Sequence, residues 1–313
     1  VQGRWEEATT ARLQFLQARK TFQRRRGFCQ ATVRAAAIDY DARRRRTTMG
    51  EPLIRSERAD GVAVLTLDDP PANTYSYEMM KQLDAAVLEA RMDEAVHALL
   101  LRGAGEKFFC AGADIRMLGQ ADPRFKYYFC LHANETLNRL EQTPKLVVAA
   151  LGGHCVGGGL EVALAADLRF ARRGAGKIGL PEVNLGVLPG TGGTQRLVRL
   201  LGRARAFELM ASGRLLDFDE AQRIGLVHEV IEAGSAAAFL DQVRERVREY
   251  LPPRRAARAV GLIKRAVISG AEGAFAEGLA LERELQQQLF ESEDAREGIA
   301  ANLEKRPPQF KGR

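Results

Sequence analysis

The sequence predicts an α/β domain followed by a helical C-terminal region. Short apolar runs alternate with helix-period segments between Leu53 and Ile231, glycine-containing loops follow several of those runs, and strand-like segments stop after Ile231.

The first run is Val62 to Leu67 (VAVLTL), bounded by the turn signals Asp60-Gly61 and Pro70-Pro71, and it reads as a strand. Tyr77 to Arg91 carries Met79, Leu83, Val87 and Ala90 at helical spacing. His97 to Leu101 is a second short strand, running into Arg102-Gly103-Ala104-Gly105. A glycine-containing loop, Cys110 to Asp114 (CAGAD), precedes a helix from about Arg124 to Glu141 and a strand from Lys145 to Leu151. Such alternation implies crossover connections, and it gathers functional groups at the loops that follow strands. After the strand Val227 to Ile231, the segments Ser235 to Tyr250, Arg254 to Ser269 and Ala271 to Glu304 have helical composition and spacing, broken at Pro252-Pro253 and Gly270. The expected division is a core domain over 49–245 and a helical region over 246–313.

Composition is that of a globular chain, 46% hydrophobic and 28% charged over 313 residues, enough for one large domain and a smaller appendage. The net charge of +7 sits at one end. Val1 to Thr48 holds 12 basic against 4 acidic residues, and the other 265 residues hold 35 against 36. The near-neutral remainder argues against nucleic acid as the main partner. The Arg-rich stretch over 1–48 is expected to be disordered or to lie outside the native protein, as sequence upstream of a start at Met49. An organelle-targeting peptide and a basic arm binding RNA or another anionic surface are the alternatives. Cys29, Cys110, Cys130 and Cys155 show no paired spacing, and His97, His132, His154 and His228 form no ligand pattern, so neither a disulfide framework nor a metal site is expected. With no apolar run of about 20 residues, no membrane span is predicted. The expected location is the cytoplasm, or the mitochondrial matrix if the extension is a targeting peptide.

The chemistry concentrates in Leu146 to Ala171 and Lys177 to Leu197. In the first segment a strand enters Gly157-Gly158-Gly159, and a helix begins with Glu161 in its first turn. Glycines admit close backbone approach, and free amides at a helix start suit negative charge. No Gly-Lys-Ser/Thr follows, which disfavours a nucleotide-phosphate loop. In the second segment Glu182 follows Pro181 between apolar residues. Taken singly, each glutamate also has a plain structural account, at a helix start for Glu161 and at a strand edge for Glu182. A catalytic role for His132 or His154 is disfavoured, and packing or solvent contact accounts for them.

Together the segments resemble the crotonase, or enoyl-CoA hydratase/isomerase, superfamily. The similarity runs from Met49 to Arg313 through FFCAGADI (Phe108 to Ile115), GGHCVGGGLE (Gly152 to Glu161), LPEVNLGVLPGTGGTQRL (Leu180 to Leu197) and EKRPPQFKGR (Glu304 to Arg313). The resemblance implies a spiral of β-β-α units, a C-terminal helical trimerisation region, and a homotrimer or a hexamer of two trimers. It implies an acyl-CoA substrate, with coenzyme A as part of that substrate and no separate cofactor or metal.

By the same resemblance the backbone N–H groups of Ala113 and Gly158 form an oxyanion hole, each donor worth ~3 kcal/mol at the transition state. Glu161 is then the base that activates water for attack at C3, and Glu182 the acid that protonates C2. Relatives that only shift a double bond usually manage with one acid, so the pair favours hydration. Ala111, Asp114, Ile115, Arg116, Phe290 and Lys305 are the implied coenzyme A contacts, the last two often reaching a neighbouring subunit. Phe290 has an equally plain reading as helix core, and Lys305 as a solvated charge. The acyl pocket is expected around Met117 to Tyr128 and the C-terminal helices, and GTGGTQRL is expected to be a structural turn into a helix near the subunit contact. Enoyl-CoA isomerisation and a methylglutaconyl-CoA-type hydration remain alternatives, in fatty-acid or branched acyl-CoA breakdown. The chain departs from the pattern at Asp68 to Glu78, where many hydratases have a lysine, and at Gly152 and Leu146.

Overall fold

Strand β1 (Ile54–Ala59) turns at Asp60-Gly61 into β2 (Val62–Leu67), and the two pair antiparallel from Ile54↔Leu67 to Ala59↔Val62. Asp60 and Gly61 both take positive φ, 51° and 77°, the requirement of a two-residue hairpin turn whose twist matches the strands. The computed structural model describes Pro52 to Arg313, which form one compact unit. The expectations for residues 1–48 lie outside the described residues.

The chain continues through α1 (Tyr77–Met92), β3 (Ala98–Gly103), β4 (Phe108–Cys110), α2 (Ile115–Gln120), α3 (Pro123–Glu141), β5 (Leu146–Leu151), β6 (His154–Val156) and α4 (Gly158–Leu164). Next come β7 (Leu168–Arg172), β8 (Lys177–Gly179), a 3₁₀ turn over Glu182–Leu185, α5 (Gly193–Leu201) and α6 (Arg203–Ser212). Strand β9 (Leu216–Asp217), α7 (Phe218–Arg223), β10 (Glu229–Ile231), α8 (Ala236–Arg248), α9 (Ala257–Glu272), α10 (Phe275–Phe290) and α11 (Glu293–Leu303) complete the order. Helix α8 runs through the expected boundary at 245/246.

Three strand pairs follow one plan. The first members, β3, β5 and β7, join a six-stranded sheet ordered β1-β2-β3-β5-β7-β10, and the second members, β4, β6 and β8, join a four-stranded sheet ordered β4-β6-β8-β9. Within the larger sheet the neighbours from β2 to β10 are parallel, as are β4, β6 and β8 in the smaller one. Each turn of the spiral thus lays one strand on each sheet, and the loops leaving β4 and β6 come side by side.

Both faces of the larger sheet are covered. Ala63, Leu65, Leu99, Leu101, Val147 and Ala149 pack with Met79, Leu83 and Val87 of α1, whereas Val62, Val64, Leu100 and Val148 pack with Phe239, Val243 and Val247 of α8. A strand buried on both faces needs apolar residues at every position, which is why these strands read as continuous apolar runs. Buried Lys264 of α9 pairs with Asp167 at 3.0 Å, and Asp167 also accepts the Val147 N–H at 2.7 Å, fixing the helical region to β5.

The C-terminal break differs from the expected one. Helix α9 passes through Gly270 and ends at Glu272, and a Cβ built on Gly270 would make ordinary contact with Gly278 Cα of α10 at 3.6 Å, so the glycine does not terminate the helix. The segment 271–304, expected as one helix, is two. Ser292 starts α11 by accepting the Ala295 N–H at 3.0 Å. Among the described residues no helix is long and apolar enough to cross a membrane.

Candidate active site

The loops after β4 and β6 meet backbone to backbone. A Cβ on Gly112 would lie 2.9 Å from Gly158 N, and one on Gly158 would overlap the Tyr75 hydroxyl, so neither position admits a side chain. Tyr75 pairs with this loop as an isolated parallel bridge to Ala113. Its N–H donates to Gly112 O and its C=O accepts from Asp114 N–H, both at 3.0 Å. In such a bridge the central residue's own N–H points away from the partner, so Ala113 N–H is turned from Tyr75. Gly158 opens α4 behind Gly157, whose φ of 59° and ψ of −134° suit glycine alone. Its N–H is among the first four of the helix, which have no intrahelical acceptor.

Glu161, one turn into α4, is 2% exposed. Its Oε1 accepts the Thr191 N–H at 2.8 Å and the Gly193 N–H at 2.7 Å, and its Oε2 accepts the Thr191 hydroxyl. Since that hydroxyl proton points at the carboxylate, the buried Tyr75 hydroxyl, 3.0 Å from Thr191 Oγ1, donates to it. Burial, then the charge of Glu161, pushes the Tyr75 phenol well above its ordinary range, which keeps it a neutral donor.

Glu182 begins the 3₁₀ turn after β8 rather than sitting on a strand edge. Desolvation raises its pKa from 4.5 to about 7, with a smaller raising by Glu161 partly opposed by Lys126. A Cβ on Gly157 would stand 3.2 Å from its Oε1, so the carboxyl lies against the glycine turn, and its Oε2 is buried with no hydrogen-bond partner among the described residues. The two carboxyls therefore differ sharply: Glu161 is held by three donors, whereas Glu182 favours its protonated form up to neutral pH.

Both line a cavity of about 300 Å³, together with Ala111, Gly112, Ala113, Ile115, Gly157 and Gly158. Its remaining wall is mostly apolar, with Leu118, Val156, Leu185, Val187 and Leu188, and Lys126 of α3 also reaches it. Of the other sequence-predicted residues, Asp114 caps α2 by accepting the Arg116 N–H at 2.9 Å. Phe290, 62% exposed, and Lys305, also exposed, lie on the C-terminal helical region and are not brought to the cavity within one chain.

Tyr75, Thr191 and Lys126 were not singled out by the sequence. GTGGTQRL does lead into α5, but it is more than a structural turn, because Thr191 and Gly193 supply the donors that hold Glu161. The glycines beside Thr191 were a usable signal of close backbone approach. Tyr75 and Lys126 carry no local one.

Residues 57–313 match the family model described as enoyl-CoA hydratase/isomerase. A short-chain-enoyl-CoA hydratase of Clostridium acetobutylicum is 37% identical over 82% of this chain and 97% of its own length. The mitochondrial methylglutaconyl-CoA hydratase of Rattus norvegicus is 36% identical over 82% of this chain and 81% of its own. An enoyl-CoA hydratase structure from Geobacillus kaustophilus HTA426 superposes with a TM-score of 0.80 at 45% identity, covering 84% of this chain and 98% of that one. With the spiral fold and the paired loops already described, these matches establish that the chain has the crotonase fold and belongs to the enoyl-CoA hydratase/isomerase family, as an enzyme of the enoyl-CoA hydratase type.

Proposed function

We propose that the cavity adds water across the C2–C3 double bond of a 2-enoyl-CoA thioester, giving the 3-hydroxyacyl-CoA. The observation that carries this reading is the pair of unlike carboxyls, Glu161 and Glu182, lining one cavity with Ala113 and Gly158.

The thioester oxygen accepts the N–H groups of Ala113 and Gly158, which stabilise the negative charge that develops on it as the double bond is attacked. Glu161 removes a proton from water while the water oxygen bonds to C3. The π electrons pass to the thioester as an enolate-like state, and Glu182 delivers its proton to C2. One O–H bond and the π bond are lost, and one C–O and one C–H bond are formed. Proton transfer from Glu161 back to Glu182 restores the starting state. Both glutamates serving one water would give syn addition.

The coenzyme A moiety is assigned to the loop of Ala111, Asp114, Ile115 and Arg116, with Phe290 and Lys305 supplied by a neighbouring subunit. Support for a trimer, or a hexamer of two trimers, comes from the apolar side chains left exposed on the C-terminal helices, among them Val267, Phe275, Phe290 and Leu303, the last 78% exposed. Cytoplasmic placement belongs to the same reading, supported by the unpaired Cys110, Cys130 and Cys155.

The second reading keeps the hydration and changes the acyl group to a branched one, as the name of the methylglutaconyl-CoA hydratase relative suggests. Incubation with 2-enoyl and 3-enoyl thioesters, followed by mass spectrometry, tests hydration against isomerisation. A gain of one water on the 2-enoyl substrate is expected, and a shifted double bond with no water gained would overturn the reading.

A further inference from the structure

We propose that Lys126 makes this cavity selective for short 2-enoyl-CoA thioesters whose acyl chain ends in a carboxylate, the ammonium binding that terminal anion. The proposal rests on the hydratase reading for its reaction but not for its binding.

Lys126 lies in α3, which packs against the active-site loops, and it lines the same cavity as Glu161 and Glu182. Its Nζ stands 5.4 Å from the centroid of the Phe129 ring, and Phe129 is buried against Tyr75 with ring centroids 5.9 Å apart. The ammonium thus sits on an aromatic floor that continues to the Tyr75 side of the cavity, where a cation is favoured over the ring face.

Among the described residues no carboxylate or carbonyl oxygen pairs with Lys126 Nζ, in contrast to Lys264, paired with Asp167 at 3.0 Å, and Lys145, which donates to Ala90 O and Asp93 O. The two carboxyls nearest in function do not fill that role. Glu161 is taken up by Thr191 and Gly193, and Glu182 feels the Lys126 charge without forming an ion pair with it.

The neighbouring lining residues Ile115, Leu118, Leu185 and Leu188 suit an aliphatic chain. A wholly apolar acyl group filling this space would strip water from Lys126 and offer nothing in exchange, which is costly for a charged group. A terminal carboxylate would replace that water with a charge-assisted hydrogen bond. Lys126 and Glu182 line one cavity of about 300 Å³, so the anion belongs within that small volume, which limits the acyl chain to a short one.

The test pairs binding with turnover, on the full chain and on Lys126→Met and Lys126→Arg. Calorimetry compares the saturated thioesters butyryl-CoA and glutaryl-CoA, which differ only in a carboxylate that replaces a hydrogen at the chain end. Glutaryl-CoA is expected to bind about tenfold tighter to the unmodified protein, with that preference lost in Lys126→Met and largely kept in Lys126→Arg. The kcat/KM ratio of glutaconyl-CoA to crotonyl-CoA is expected to fall by the same factor in Lys126→Met. Equal binding of the two saturated thioesters, or a preference that survives in Lys126→Met, would overturn the proposal. So would a loss in Lys126→Met that is equal for both thioesters, which would assign Lys126 to the coenzyme A phosphates or to Glu182. Hydration of neither enoyl substrate by the unmodified protein would refute the hydratase reading, and the calorimetric comparison would still decide the role of Lys126.

Discussion

Thr191 gives Glu161 two donors, its backbone N–H to Oε1 at 2.8 Å and its hydroxyl to Oε2. One residue thereby fixes both oxygens of the proposed base, and the Tyr75 hydroxyl in turn fixes the Thr191 hydroxyl. Thr191→Val keeps the shape and the backbone donor, removes the hydroxyl, and leaves two buried polar groups short of a partner. A hydrogen bond to a charged group contributes about 1.5–3 kcal/mol, so kcat is expected to fall by about tenfold or more with KM little changed. Tyr75→Phe removes the outer donor only, and its loss in kcat should be the smaller of the two. Steady-state kinetics on crotonyl-CoA checks both, and a larger effect from Tyr75→Phe would contradict the proposed order of donors.

The raised pKa of Glu182 fixes the sign of the pH dependence. As the proposed proton donor it must be protonated, so kcat/KM is expected to decline as pH rises through about 7. Removing the nearby cation by Lys126→Met should move this alkaline limb to higher pH, because a carboxyl without a cation beside it holds its proton more tightly. Stability follows the same linkage. The folded value lies above the ordinary 4.5, so the unmodified protein loses stability as pH rises from about 4.5 to about 7, and the loss persists above that. Glu182→Gln is expected to be more stable than the unmodified protein at pH 8 and closer to it at pH 4.5, measured by urea denaturation.

Arg169 anchors the far end of the active-site helix. It is 3% exposed, and its guanidinium donates to Leu226 O at 2.9 Å, Ala166 O at 2.7 Å and Ala163 O at 3.3 Å, two of these carbonyls belonging to the end of α4 and the turn after it. Burial lowers its pKa to about 10, still well above neutral pH, so it remains charged. Arg169→Met strands three carbonyls, and a loss of about 3 kcal/mol in unfolding free energy is expected. Urea denaturation measures it, and a loss below about 1 kcal/mol would contradict this role.

The parts of the fold visible in the sequence are those with length. Strands β2, β3 and β5 each have six residues, all buried but the half-buried Arg102 of β3, and α1 and α3 span four or more turns. The strands of the smaller sheet have two or three residues, too few for an alternation to register, and β1, antiparallel at the edge and largely exposed, has little apolar pattern. In the site, Glu161 and Glu182 were legible through resemblance to family motifs, since each alone has a plain structural account. Tyr75 was not, because its partner Thr191 lies 116 residues away and only the spiral brings them together. Lys126 lies in the segment expected to line the acyl pocket, around Met117 to Tyr128, but nothing in the sequence set it apart from its neighbours there.

In the proposed reaction two carboxyls with separate tasks hydrate the thioester. This is tested most directly by the turnover of crotonyl-CoA in Glu161→Gln and Glu182→Gln, with thioester affinity measured in parallel. Each variant is expected to lose about 10³-fold in kcat while binding the thioester within a few-fold of the unmodified protein, the scale of a lost general base or acid. Hydration by either variant at the unmodified rate would rule out the two-carboxyl mechanism.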